Sequence, residues 1–145
     1  MTQQPMSQVL AQPISMHCVD QLGFSKSLET SFEYDPGDPY AVTIGFPAGD
    51  DVIRWSFCRS LLSRGITDPV GEGDVQLWPS TDESGRSVVM LEFRSPSGHL
   101  LAQASTREVY RFLTRSLAAV PYGSESLHLR MDDLISDLLG ISQPE

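Results

Sequence analysis

The sequence predicts an α+β domain of antiparallel β-sheets packed with helices, and three observations carry that prediction. A period of two places Leu28, Thr30, Phe32 and Tyr34 on one face against Ser27, Glu29, Ser31 and Glu33, and the alternation returns over 41–46. Short polar turns rich in Pro, Gly and Asp separate such runs, as in hairpin-connected strands. A capping box, Ser105-Thr-Arg-Glu108, opens a strongly amphipathic helix. The strand runs fall into two groups, each followed by a helix, and a further helix comes last.

The first dozen residues are Gln-rich and aperiodic, so residues 1–12 read as a flexible tail and 13–140 as one domain, with 141–145 as a C-terminal tail. A weak first strand covers about Ile14 to Val19. In "SKSLETSFEY", Leu28, Thr30, Phe32 and Tyr34 share one face and Ser27, Glu29, Ser31 and Glu33 the other. The following "DPGDP" cannot continue a ladder, because proline lacks the donor and restricts the residue before it. Pro36 and Gly37 suit the two central positions of a turn. Val42, Ile44 and Phe46 then resume the alternation. Residues 34–46 therefore read as a stiff corner between strands. Asp35 and Asp38 are expected to bond nearby amides and not a metal.

"GDDVIRWSFCRSLLSRG" reads as a helix capped by Asp50 or Asp51, with Phe57, Cys58, Leu61 and Leu62 on its apolar face, Arg54 and Arg64 off it, and Gly65 as its stop. Trp55 reads as cover for the edge of the core; exposed, it would anchor a partner. Gly71 and Gly73 flank Glu72 in a turn, and a short strand runs from Asp74 to Trp78 until Pro79 ends it. "SVVMLEFRS" is apolar on both faces at first and belongs centrally in a sheet. "SPSG" turns the chain into the strand "HLLAQA". The helix from Ser105 carries Val109, Phe112, Leu113, Leu117 and Val120 on one stripe, and Pro121 stops it. The last helix sets Met131, Leu134, Ile135, Leu138 and Leu139 against Asp132, Asp133 and Asp137.

The chain of 145 residues has 40% hydrophobic residues and a formal net charge of −9. That charge opposes phosphate neutralisation and binding to anionic membranes, and the ten basic residues are scattered along the chain. No targeting pattern and no spanning stretch is present, so the chain reads as cytoplasmic with reduced Cys18 and Cys58. Phosphate-loop, dinucleotide and nucleophile-elbow spacings are missing. His17, His99 and His128 stand far apart in sequence, and His17 and Cys18 point to opposite faces of a strand. No metal, cofactor or small-molecule substrate is expected. Cys58 reads as an inert core thiol. The balance moves from enzyme toward a binding or assembly protein.

Ordered stretches add a resemblance. "YDPGDPYAV", "IRWSFCRSLLSRG", "PVGEGDVQLWP", "VVMLEFRSPSGHLLAQAS" and "FLTRSLAAVPYGSES", with the helix from Met131 to Leu139, resemble the SsgA/SsgB-like sporulation and cell division proteins of actinomycetes. The match runs from about Leu28 to Leu139, and Ser60 departs from the acidic residue often found there. The resemblance implies a non-enzymatic cytoplasmic protein of the division septum. Such a protein helps localise the tubulin-like FtsZ, or related septal machinery, during sporulation-specific septation. It also implies a Whirly-like fold, a homo-oligomer, most simply a trimer, and partners among FtsZ and other SsgA-like proteins. Whirly proteins bind single-stranded nucleic acid, which is the alternative function; the net charge speaks against it here. The acidic face of Asp132, Asp133 and Asp137 is one candidate partner surface, with a merely solvated face as the other reading.

Overall fold

The structure is a computed structural model that describes residues 8–19, 22–23 and 25–140. Eight strands and three helices follow in chain order: β1 (Leu10–Val19), β2 (Ser25–Tyr34), β3 (Ala41–Ala48), β4 (Asp51–Cys58), α1 (Arg59–Gly65), β5 (Val70–Glu72), β6 (Val75–Thr81), β7 (Ser87–Ser95), β8 (Gly98–Ser105), α2 (Thr106–Ala119) and α3 (Glu125–Leu138). The expected layout of two strand runs, each followed by a helix, plus a last helix is therefore present.

The strands form one antiparallel sheet in the order β4-β3-β2-β1-β8-β7-β6-β5. Two meanders meet where β1 pairs with β8, through His17 opposite Gln103, Cys18 opposite Ala102 and Val19 opposite Leu101. The expected packing of separate sheets is thus replaced by a single continuous sheet that curls on itself. Trp55 on β4 and Phe93 on β7 show the curl: four strands lie between them in the sheet, yet their ring centroids are 5.1 Å apart. Phe46 on β3 meets the same Phe93 edge-on at 5.4 Å. α2 lies against the concave side, where Phe112 packs edge-on to Phe32 at 5.6 Å.

Alternation decides which residues enter this core. Ile14, Met16 and Cys18 on β1, Phe32 and Tyr34 on β2, and Val42, Ile44 and Phe46 on β3 are all buried. β7 buries Val88 and Val89 side by side, as its two-faced apolar start requires. The N-cap half of the expected capping box forms: the Ser105 side chain accepts from the Glu108 amide at 3.3 Å. The "DPGDP" segment is a corner. The Asp38 amide donates to the Asp35 carbonyl at 2.8 Å, the Gly37 amide to Asp35 Oδ1 at 2.9 Å, and the Tyr34 hydroxyl to the Pro39 carbonyl at 2.9 Å.

Four sequence expectations are corrected. Residues 51–58 are strand β4, paired with β3 along its whole length, and only Arg59–Gly65 is helical. Ile53, Trp55 and Phe57 carry the period-two signal of that strand, and their aromatic and β-branched character suits a pleated ladder. The N-terminal strand begins at Leu10, so Leu10 to Gln12 belong to the sheet and not to a tail; Gln12 is tied to α2, where its Nε2 donates to the Glu108 carbonyl at 3.2 Å and its Oε1 accepts from Arg115 at 3.0 Å. Of the rest of the expected tails, residues 8 and 9 are exposed and outside any strand, and residues 1–7 and 141–145 lie outside the described residues. Pro79 does not end β6; it stands opposite Val89 in the ladder. β5 covers only Val75 to Leu77 on the other side, so at Pro79 the strand is an edge and no donor is missed. Gly71 lies in β5, and the turn falls at Gly73, whose φ of +63° favours glycine.

Candidate interaction site

Where β2, α1, α2 and α3 meet, a charged residue is enclosed. Arg59, the first residue of α1, is 1% exposed. Its Nη1 donates to the Ser116 carbonyl at 3.1 Å and its Nη2 to Glu125 Oε2 at 2.9 Å. The guanidinium carbon lies 4.7 Å from the Tyr34 ring centroid and 4.8 Å from that of Tyr122. A guanidinium between two aromatic faces keeps electrostatic compensation after losing water. The other Glu125 oxygen accepts from the Gly123 amide at 2.9 Å. Burial pushes the Glu125 carboxyl up. The Arg59 hydrogen bond, the amides of Glu125 and Gly123 and the Arg59 charge outweigh it and hold the group below the usual carboxylate range. Burial, partly offset by the Arg59 charge, pushes the Tyr34 phenol up to about 12. This clamp positions the start of α3.

Beyond the clamp, α3 shows an apolar face to solvent. Leu127, Met131, Leu134 and Leu138 are 50%, 45%, 47% and 73% exposed, while His128 and Ile135 are half-buried. The expected acidic face divides. Asp132 is half-buried beside His128, 3.7 Å from its Nε2, whereas Asp133 and Asp137 are exposed. Of the expected stripe of Met131, Leu134, Ile135, Leu138 and Leu139, only Ile135 is half-buried and the others are exposed, because α3 is anchored at its first turn.

A second apolar surface lies at the mouth of the curled sheet. Leu28, Phe46, Ile53, Trp55, Phe93 and Leu100 line a cleft of about 410 Å³ with His99 at its rim. Trp55 is half-buried against Phe93, as core cover, and the same ring forms part of this wall. Ile53 is 56% exposed at its edge. A third surface shows that the basic residues are less scattered in space than in sequence. Arg86 and Arg107 line one hollow with exposed Tyr110, and exposed Arg111 continues the outer side of α2.

His17, His99 and His128 sit on β1, β8 and α3, and among the described residues no three His, Cys, Asp or Glu side chains form a group able to hold a metal ion. His17 is exposed and Cys18 buried, on opposite faces as their adjacency required. Cys58 is not a core thiol: it is exposed at the α1 N-terminus, with a hydrogen bond to Glu72 that raises its pKa. Among the described residues, no helix is long and apolar enough to cross a membrane. Sequence reasoning gave no role to Arg59. The available signal was one arginine inside the apolar run "FCRSLL", but its partners lie 57 and 66 residues away.

The model of the Streptomyces sporulation and cell division protein family SsgA matches residues 28–125. The sporulation-specific cell division protein SsgB of Frankia casuarinae is 49% identical over 100 residues, covering 68% of this chain and 69% of its own. That of Streptomyces coelicolor is 40% identical over 119 residues, covering 81% of this chain and 86% of its own. In three dimensions, an SsgA-like sporulation-specific cell division protein from Thermobifida fusca superposes with a TM-score of 0.81 at 30% identity, over 93% of this chain and 98% of that one. A solved structure described with SsgB mutations that correlate to longitudinal cell division during sporulation of Streptomyces coelicolor superposes with a TM-score of 0.79 at 35% identity, over 87% and 99%. The matched segment runs from Leu28 in β2 to Glu125, so it takes in every strand of the sheet after β1 together with Arg59 and its carboxylate partner, and with the agreement in fold it establishes that this chain belongs to the SsgA family of sporulation and cell division proteins.

Proposed function

We propose that this chain is a non-enzymatic adaptor of sporulation-specific septation that helps localise FtsZ, or related septal machinery, at the division site. Membership of a family of sporulation and cell division proteins supports the septal role. The observation that carries the adaptor reading is the open apolar cleft around Trp55 and Ile53, an anchoring pocket of the kind in which partner side chains bind. The protein acts in the cytoplasm as a homo-oligomer, with a trimer as the state the family resemblance implies. Several copies of one weak site then bind a filament by avidity.

Co-sedimentation with FtsZ filaments tests this. The wild-type chain should pellet with filaments, and Ile53→Asp, which places a charge at the cleft rim, should lose most of that binding while remaining folded. Absence of wild-type protein from the pellet, at concentrations where it is oligomeric, counts against direct contact.

A second reading has one observation behind it. Arg86, Arg107 and exposed Tyr110 share a hollow, and arginines beside an aromatic ring are the minimum for stacking a single-stranded nucleic acid. Binding of a single-stranded oligonucleotide that falls steeply with added salt and is lost in Tyr110→Ala would favour it.

A further inference from the structure

We propose that the outer side of α2 is a docking surface for an acidic segment of a partner protein, held by Arg107, Arg111 and Arg115. The three arginines recur at every fourth residue, and all are exposed. At the rise of an α-helix they follow one another at about 6 Å along its axis. Glu108 is the one acidic residue in α2; it is half-buried, with its amide on the Ser105 cap. A chain with 19 acidic and ten basic residues thus carries one helix side whose charges are all arginines.

The fold gains little from these charges. Arg54, Arg59 and Arg94 each have a carboxylate partner, whereas among the described residues Arg107, Arg111 and Arg115 have none. Arg115 donates to the neutral Gln12 Oε1 at 3.0 Å. Arg107 stands in the first turn, where the helix dipole opposes a cation. Arg107 with Arg111, and Arg111 with Arg115, are like-charged pairs four residues apart, which also works against the helix. Residues that break local rules without a gain inside the chain point to a gain outside it.

Spacing and charge select the occupant. In an extended peptide, side chains on one face recur at about 6.6 Å, so carboxylates at every second residue fall opposite successive arginines. A guanidinium meets a carboxylate through two parallel hydrogen bonds. From Arg107 to Arg115 the surface is about 12 Å long, which holds three such pairs. Without these arginines the formal net charge of −9 would be −12. A long nucleic acid or a plane of anionic lipid would extend over the repelling remainder, whereas a short acidic segment ends where the arginines end. Tyr110, 64% exposed between Arg107 and Arg111 in sequence, is a single ring on this side and stacks one base where a strand offers many. The surface shares no residue with the cleft at Trp55 and is independent of what binds there.

The test uses the full chain and a fluorescein-labelled peptide of about 12 residues in which Glu and Thr alternate, so that the carboxylates share one face. A peptide with Gln in place of Glu is the control. Fluorescence anisotropy at low salt should show saturable binding of the Glu peptide, weakened by added salt, and none of the Gln peptide. Arg107→Gln combined with Arg111→Gln should weaken binding about tenfold and leave the thermal midpoint unchanged or raised, because like-charge repulsion is relieved. Tyr110→Ala, which keeps all three arginines, should change binding less than about twofold. Absence of saturable binding up to about 1 mM peptide overturns the proposal, as does equal binding by the arginine variant. A lowered midpoint in that variant assigns the arginines to the fold and overturns it too. Tighter binding of oligothymidylate that Tyr110→Ala abolishes gives the surface to single-stranded nucleic acid. Binding to phosphatidylglycerol vesicles without peptide binding gives it to a membrane, and either outcome refutes the acidic segment.

Discussion

Arg59 and Glu125, separated by 66 residues in the chain, form an ion pair of 2.9 Å in which the arginine side chain is 1% exposed and the carboxylate 11%. The pair joins the start of the short first helix to the start of the last. It also sets the order of stability among substitutions. Glu125→Ala leaves a desolvated guanidinium without its anion and should cost about 3 kcal/mol, measured by urea unfolding with tryptophan fluorescence. The double variant Arg59→Met with Glu125→Leu removes both charges and should cost less than Glu125→Ala alone. A loss below about 0.5 kcal/mol for Glu125→Ala, the range of an ordinary surface change, would show that the clamp does not hold the fold together.

The same pair gives the protein an acid dependence of defined sign. The folded state holds Glu125 below its ordinary value of 4.5, mainly through Arg59 once the opposing effect of burial is overcome. Its contribution to stability is therefore complete above about the ordinary value and is lost as pH falls through the depressed one. Unfolding free energy against pH should fall more steeply below 4.5 in the wild type than in Glu125→Gln, and the two curves should converge in acid. Parallel curves would place the acid dependence on other carboxylates.

Gly65 was expected to stop a helix; it is instead the last residue within α1, which Ile66 caps, and its glycine character serves close packing. A Cβ on Gly65 would lie 2.6 Å from the Leu77 Cβ, because α1 rests directly on β6 at this point. Gly65→Ala should cost about 1–3 kcal/mol by overpacking, read as a lower midpoint in thermal unfolding. A neutral substitution would mean that α1 can move off the sheet without penalty.

The two cysteines should differ sharply toward a thiol reagent. Cys18 is buried in the sheet, and burial, only partly countered by Lys26, pushes its thiol up. It should react only after unfolding. Cys58 is exposed, but its hydrogen bond to Glu72, followed by partial burial and the Glu72 charge, raises its pKa and keeps the thiol protonated. Native protein should therefore titrate one thiol, slowly. Glu72→Gln should speed that reaction several-fold at neutral pH by increasing the thiolate fraction. An unchanged rate would remove Glu72 as the controlling group.

The parts of the fold legible in the sequence are those whose signal is local. Phe32 and Tyr34 alternate with Glu33 because one face of β2 meets the core and the other does not. Ser105 and Glu108 mark a helix start because three residues suffice to satisfy its amides. Residues 51–58 misled because Phe57, Cys58, Leu61 and Leu62 also fit a helical face, although Phe57 and Cys58 close a strand and Leu61 and Leu62 belong to α1. The pairing of β4 with β3 resolved a choice that spacing alone left balanced.

By itself the sequence determined the alternating strands, the corner at Asp35 to Pro39, the amphipathic helix after Ser105, and, through ordered motifs, the family. Each depends on neighbours within a few positions or on matching stretches in order. Tertiary structure alone decided that eight strands make one curled sheet, that Trp55 meets Phe93, that Arg59 is buried between Tyr34 and Tyr122, and that the apolar side of α3 stays open. These outcomes depend on residues far apart in the chain competing for the same buried space. Such competition leaves no periodic trace in sequence, because it is settled by distance and desolvation after the strands have paired.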